Sequence, residues 1–363
     1  MLLLRIEFQK SEAGVNPRWT RRPEGSTWGD FGPDDQIGRL NLITAEKTLQ
    51  GIAEVREGRR FCLSLPLEYP GGNLLNPRRF PPRLFATGRG DRANMVHRLS
   101  LYDVRHNDVM CDDLALIYLQ YSTQWDSFAH AGQMFDADGD GVPEPCFYNG
   151  YRGGVEIPEA IDHGGEPRPD RFEQPGVKAL GVENFARHGV QGRGVLVNLF
   201  DLVGEARSWV GYDILMRAME TQRAEIESGD MLCLYTGFGD TLLSMQARPD
   251  RQRLENSNAV IDGRDGRLLN WISDSGVAAL IADNYAVEGL PAKDVSASEG
   301  SHAALPLHEH CLFKLGVPLG EIWYLSELAA WLKAVGRSRF LLTAPPLRLT
   351  GAVGSPVTPI ATV

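Results

Sequence analysis

The sequence predicts an α/β domain with a mixed sheet, and three observations carry that prediction. Strand-like apolar runs at residues 194–199, 229–238 and 277–284 alternate with helical periodicity at residues 212–226 and 305–315. Residues 120–126 alternate polar and bulky side chains, the period of a half-buried strand. The 39 Gly and 22 Pro residues call for many turns and long loops, against a helical bundle.

In chain order, residues 11–36 are polar and Gly/Pro-rich and read as an ordered loop carrying Trp28 and Phe31. Thr44 is a good N-cap for a helix to about Val55. Gly58 turns into an alternating strand over residues 61–65. Residues 69–95 read as a long loop able to cover a pocket. Residues 96–110 read as strand pieces, with His97 and His106 as ordinary surface or core histidines. Residues 136–141, Asp-Ala-Asp-Gly-Asp-Gly, open like a calcium loop, but Phe147 stands where an EF-hand needs Glu, so a plain acidic turn remains. A helix over residues 177–189 closes on its Gly, and one over residues 305–315 closes on Gly316. A strand at residues 318–325, a helix at 326–335 and a strand at 339–344 complete the pattern. Residues 1–25 read as an N-terminal arm, 26–345 as one α/β domain and 346–363 as a C-terminal tail.

The bulk properties exclude several classes. A length of 363 residues with 43% hydrophobic content supplies ample core for a large domain. The net charge of −10 gives a nucleic-acid partner no electrostatic support. Five scattered cysteines without a CxxC fit reduced thiols in a cytoplasm. The apolar opening is interrupted by Arg5, Glu7 and Lys10, and no run reaches membrane-spanning length, so no membrane partner is expected. Neither a P-loop nor a dinucleotide glycine fingerprint occurs.

The stretch richest in chemistry is residues 119–130, Leu-Gln-Tyr-Ser-Thr-Gln-Trp-Asp-Ser-Phe-Ala-His. As a strand it points Gln120, Ser122, Gln124 and Asp126 one way, and Tyr121, Thr123 and Trp125 the other. His130 follows Asp126 by four residues, where the chain can turn back over the polar face. A polar face of this kind serves either a site or simply solvation.

Set against H-x-G-T-H-x-D-x-P-x-H, this stretch resembles the signature of the cyclase family, the superfamily of bacterial kynurenine formamidase and isatin hydrolase. Thr123, Asp126 and His130 match it; Gln120 and Gln124 stand at two histidine positions, Ser122 at Gly and Phe128 at Pro. Further blocks agree in order: Trp28 to Asp35, Leu40 to Ile43, Arg193 to Leu196, Gly229-Asp230 through Thr236-Gly237-Phe238, and the late His308, Gly316 and Glu321. The resemblance spans about residues 26–345. It implies a swivelling β/β/α-type fold, a homodimer or homotetramer, and hydrolysis of amide or cyclic amide bonds. Carried over by position, it implies Asp126, His308 and Glu321 as retained metal ligands and His130 as the acid/base.

The two glutamines change the expected chemistry. An amide oxygen is a neutral, hard donor that suits manganese, magnesium or calcium better than zinc. Three readings follow. One is a hydrolase with a weakened, oxygen-rich metal site of Asp126, His308, Glu321, Gln120 and Gln124. A second is a metal-free enzyme in which Asp126 orients His130 and the glutamines donate to a carbonyl oxygen. The third is an inert small-molecule-binding protein on the same scaffold. His310 lies off the His308 face of the predicted helix. Trp28, Trp125, Phe128 and Tyr148, with Gln120 and Gln124, are the expected contacts to a flat, apolar amide, cyclic amide or lactone.

Overall fold

The computed structural model describes residues 18–159, 176–295 and 300–363. Its frame is a nine-stranded mixed sheet. In chain order the strands are β1 (Arg60–Cys62), β2 (Gln124–Asp126), β3 (Gln191–Asn198), β4 (Met231–Tyr235), β5 (Ala279–Ala282), β6 (Leu319–Glu321), β7 (Arg339–Thr343), β8 (Gly354–Pro356) and β9 (Ile360–Thr362). Across the sheet they run β1-β9-β7-β3-β4-β5-β6-β2-β8. The central four, β3 to β6, are parallel. All other pairings are antiparallel.

The parallel strands are near-continuous apolar runs because helices cover them, and β4 is buried at every position. Helices Tyr212–Gln222 and Gly266–Ser275 follow β3 and β4 as crossovers. The helix expected at residues 212–226 stops at Gln222, where Arg223 turns left-handed. The helix expected at residues 177–189 is only Glu183–His188, because Leu180 takes the left-handed conformation, φ 64°, and breaks it. Helix Ala45–Ala53 forms where predicted, with the Thr44 side chain accepting from Lys47 N. It is pinned to the sheet by a buried ion cluster: Arg193 donates both Nε and an Nη to Asp230, and Lys47 Nζ lies 3.1 Å from the same carboxylate. The Arg193 and Asp230 blocks noted in the sequence thus tie the helix to β3 and β4.

Residues 80–116 leave the sheet as three small antiparallel ribbons with exposed Leu84, Phe85, Val96 and Val104. The segment read as a C-terminal tail supplies β8 and β9, which pair with β2 and β7. The N-terminal arm lies mostly outside the described residues; from it Trp19 packs on Trp28. At the acidic turn Asp136 accepts from the N–H groups of Gly139 and Gly141 and pairs with Arg21, so these carboxylates serve the turn itself. No helix among the described residues is long and apolar enough to cross a membrane.

Helix Ala45–Ala53 approaches β3 so closely that a Cβ on Gly51 would lie 2.7 Å from the Gly192 carbonyl carbon and 2.9 Å from Arg193 N. These are backbone atoms and cannot swing aside. Gly51→Ala should therefore destabilise by about 1–3 kcal/mol, although alanine is the better helix former. Gly266, exposed at the start of its helix with open space at the Cβ position, is the control. There alanine should be neutral or stabilising. Urea denaturation of both variants checks the contrast; a Gly51→Ala protein as stable as wild type would refute the close packing.

Candidate active site

The register of β2 against β6 builds the site. Gln124 lies directly opposite Glu321, and Asp126 opposite Leu319. Gln124 and Asp126, two apart on β2, share the face that meets Glu321. The strand expected over residues 120–126 is shorter than predicted. Pro356 faces Gln124 from β8 and has no N–H to extend the ladder; beyond it only Val357 N reaches Thr123 O. Residues 121–123 bend instead. Gln120 still returns to the cluster, because its side chain lies over Gly354, where a Cβ would collide with it. Ser122 does not join it: its buried Oγ has no partner among the described residues.

His308 comes from the other side. It ends the short α-helical turn Pro306–His308, which widens into a π-helix over Glu309–Leu315 in place of the regular helix expected there. Glu288 fixes this turn. Its carboxylate accepts from Leu307 N and His308 N, both at 3.0 Å, and from His308 Nδ1 at 2.8 Å. His308 Nε2 lies 3.4 Å from Glu321 Oε1. Strained backbone flanks both glutamates: Ala286 and Val287 before Glu288, and Ile322 after Glu321, have φ of 66°, 57° and 55°. Left-handed backbone is unfavourable for β-branched residues and collects at functional sites.

The amides complete the network. Gln120 Nε2 lies 2.5 Å from Asp126 Oδ1 and 2.8 Å from His130 Nδ1. A carboxylate oxygen so close requires the amide nitrogen there, and its two hydrogens serve both partners. His130 Nδ1 is then an acceptor, which leaves the hydrogen of the neutral ring on Nε2. Gln124 Nε2 donates to Glu321 Oε2 at 3.2 Å and to Asp126 Oδ1 at 3.3 Å. Two acceptors of the cluster remain buried without a partner among the described residues, Gln124 Oε1 and Asp126 Oδ2.

Burial sets the protonation states. For His308 burial favours the neutral ring, but its hydrogen bonds to Glu288 and Glu321 and their charges outweigh this and push its pKa up to about 10. Burial lowers the pKa of His130, with the Asp126 charge opposing it, in keeping with an unprotonated Nδ1. Asp126 is pushed up by burial, with the Glu321 charge adding to it and the histidines opposing. Ligand atoms of Asp126, His130 and His308 lie within 4.8 Å of one another, a group able to hold a metal ion. Glu321 Oε1 and Gln124 Oε1 add oxygen donors beside it. The donor set fits a hard divalent cation: it carries excess negative charge, and two of its buried oxygens have nothing else to bind.

No family model matches the sequence, and no curated protein does. Solved structures do match. A crystal structure described as a novel cyclase is 30% identical, with a TM-score of 0.70, over 93% of this chain and 97% of that one. The chain belongs to the cyclase family. Isatin hydrolase A from Labrenzia aggregata, bound to benzyl benzoate, matches at 12% identity and a TM-score of 0.51, over 88% of this chain and 98% of that one. The enzyme of the same name from Ralstonia solanacearum matches at 14% identity and a TM-score of 0.51, over 88% and 97%. At those identities the likeness concerns the fold, and it agrees with the α/β cyclase fold expected from the sequence.

In this cyclase-family chain the fold brings together six of the polar residues singled out in the sequence, Gln120, Gln124, Asp126, His130, His308 and Glu321, and leaves Ser122 out. The expected aromatic contacts lie elsewhere. Trp28, Trp125, Phe128 and Tyr148 are all at most 1% exposed. Trp28 Nε1 donates to Phe313 O, Trp125 Nε1 to Ala344 O and Tyr148 OH to Asp35, while Phe128 packs on Tyr148 and Phe185. Their faces are spent on the core, which leaves a ligand no surface. His310 points away, as expected, to Ser273 Oγ at 3.0 Å.

Glu288 was not found from the sequence; its only signal is a lone acid in an otherwise apolar stretch. Because the His308 pKa is raised in the fold, the stability of its ion pair is full below the unfolded value of 6.5 and is lost as pH rises through about 10. Glu288→Gln removes the charge that favours the imidazolium. It should cost about 1–3 kcal/mol near pH 6, and the gap to wild type should narrow as pH approaches 10. Thermal melts across this range, without added metal, provide the check; a pH-independent gap would show that His308 is not the group stabilised.

Proposed function

We propose that the chain is a hydrolase that opens an amide, cyclic amide or lactone bond of a small molecule, using a weakly held, oxygen-preferring divalent cation. The observation that carries this reading is the pair of buried acceptors, Gln124 Oε1 and Asp126 Oδ2, left without partners in an acidic cluster. Buried oxygens of this kind are costly unless a cation or a proton meets them.

Asp126, His308, Glu321 and the Gln124 carbonyl would hold the ion; His308 gives up its Nε2 hydrogen to do so. When bound, such an ion lowers the pKa of a water molecule and polarises an acyl oxygen. The remaining work falls to His130 and Gln120. With Nδ1 held by the Gln120 amide, His130 presents Nε2–H and is set to donate to the acyl oxygen or leaving atom. To act as a base at Nε2 it needs the Gln120 amide to turn over, so that Oε1 accepts from Nδ1–H. Gln120 therefore decides which half of acid/base work His130 performs.

Elemental analysis and metal-dependent thermal shift test the ion. Purified protein should hold no stoichiometric zinc and should be stabilised by millimolar manganese, magnesium or calcium. Gln120→His with Gln124→His should convert this into tight zinc or manganese binding, because it restores two nitrogen donors. One tight zinc per wild-type chain, or a double variant with no gain, would rule out the glutamines as ligand positions.

Turnover is tested on a panel of amides, cyclic amides and lactones. His130→Asn should lower kcat by about 10²-fold or more while leaving the metal-dependent thermal shift intact. If the shift disappears with the activity, His130 is a ligand rather than the proton carrier. Wild-type protein that turns over nothing on the panel while still binding metal and small molecules would point to the inert binding scaffold.

A further inference from the structure

A cavity of ≈ 740 Å³ opens beside the parallel strand pair Ser208–Val210 and Ala259–Ile261. That volume lies in the range of small-molecule sites. Its apolar lining includes Trp209, Phe238, Leu254 and Leu75, and Tyr285 stands between it and the acidic cluster. Tyr285 also lines the ≈ 10 Å³ hollow next to Gln120, which has room for about one water. Its hydroxyl accepts from Asn76 Nδ2 at 2.9 Å, and the Glu321 charge reaches it.

One cation on this lining has no partner among the described residues. Arg207 is half-buried, its backbone N–H donates to Asn256 O, and its guanidinium makes no hydrogen bond or ion pair among the described residues. The other cations on the lining are paired: Lys293 with Asp262 at 2.5 Å and Arg251 with Glu255 at 3.2 Å. Asp294, also on the lining, is exposed and forms no ion pair with Arg207. Burial pulls the Arg207 pKa down, and no acid offsets it. A guanidinium without its anion in a partly desolvated wall is poised for a planar, two-oxygen partner. Close by, Trp209 is a fixed aromatic surface. Its ring lies against Gly289, where any Cβ would strike it, and Lys293 Nζ sits 5.3 Å from the ring centroid.

We propose that this cavity binds a small aromatic carboxylic acid, its carboxylate paired with Arg207 and its ring laid against Trp209. That the acid is the substrate rests on the hydrolase reading above; that it binds does not. The aromatic contacts sought near the signature stretch are on this reading supplied by Trp209, Phe238 and Tyr285.

Calorimetry on the full-length protein with naphthylacetate and its neutral counterpart naphthylacetamide tests the proposal without turnover or added metal. The acid should bind about 10- to 100-fold more tightly than the amide, the range a charge-assisted hydrogen bond supplies. Arg207→Met should erase that preference, Arg207→Lys should keep part of it, and Trp209→Leu should weaken both ligands alike. Equal binding of acid and amide by wild-type protein, or no binding of either, would overturn the proposal whether or not the variants fold. So would an Arg207→Met protein with wild-type melting temperature and an unchanged preference. His130→Asn should leave the acid preference intact. Loss of turnover with binding retained then speaks only to the hydrolase reading, and turnover without acid binding sinks only the cavity.

Discussion

Burying three carboxylates around one imidazole is the constraint on which the site depends. Asp126, Glu288 and Glu321 are at most 3% exposed, as is His308 between them. A buried carboxylate without compensation is prohibitively unfavourable. The fold compensates from several directions at once. Backbone N–H groups of Leu307 and His308 serve Glu288, the His308 ring serves Glu288 and Glu321, and the glutamine amides serve Asp126 and Glu321. The donors come from the turn before the π-helix, from β2 and from Gln120 ahead of it, and Glu321 stands on β6, so all of these must be in place for the charges to be tolerated. The left-handed backbone at Val287 and Ile322, costing roughly 1–3 kcal/mol each, persists because this network over-determines it.

The glutamines make sense in that light. A neutral imidazole at residue 120 or 124 has a single N–H, so one that gives its other nitrogen to a metal can donate to only one carboxylate. An amide offers a donor to the carboxylate and an oxygen to a cation at the same time. Gln124 does both halves of this: its nitrogen faces Glu321 and Asp126, and its oxygen is left over. The cluster therefore holds together through its own hydrogen bonds and retains oxygens for a hard ion. A histidine pair would bind metal more tightly and would leave the acids dependent on it.

Much of this was legible in the sequence because the signals were local. Strand periods, the Thr44 cap and the Gly316 terminus depend on neighbours in the chain, and the ordered blocks fixed the family fold. The cluster of Gln120, Gln124, Asp126, His130, His308 and Glu321 followed from those blocks. What was not legible depends on register and packing between distant segments. Pro356 shortens β2 from a position more than 200 residues away. Glu288 reaches His308 through two left-handed residues that no local preference would predict. The aromatic residues next to the signature looked like ligand contacts because the sequence does not reveal which face of a loop closes on the core. Trp28 and Tyr148 are used by Phe313 and Asp35, 285 and 113 residues away in the chain.

The cavity and the cluster are joined through a single stretch of chain. Asn76 holds Tyr285, which separates the two spaces, and Arg79, three residues on, donates to Gln120 O at 2.6 Å. Gln120 in turn holds Asp126 and His130. Tyr285 lines both the large cavity and the hollow beside Gln120, so a molecule in the cavity that displaced it and this segment would bear first on the residue that sets the His130 tautomer. The small hollow beside Gln120 has room for only about one water, so the buried charges beside it sit in a low dielectric. Separation of a roomy, apolar recognition space from a tight reactive cluster lets each be optimised by different physics: area and one unpaired cation for the first, a hydrogen-bond network that leaves two oxygens for a cation for the second.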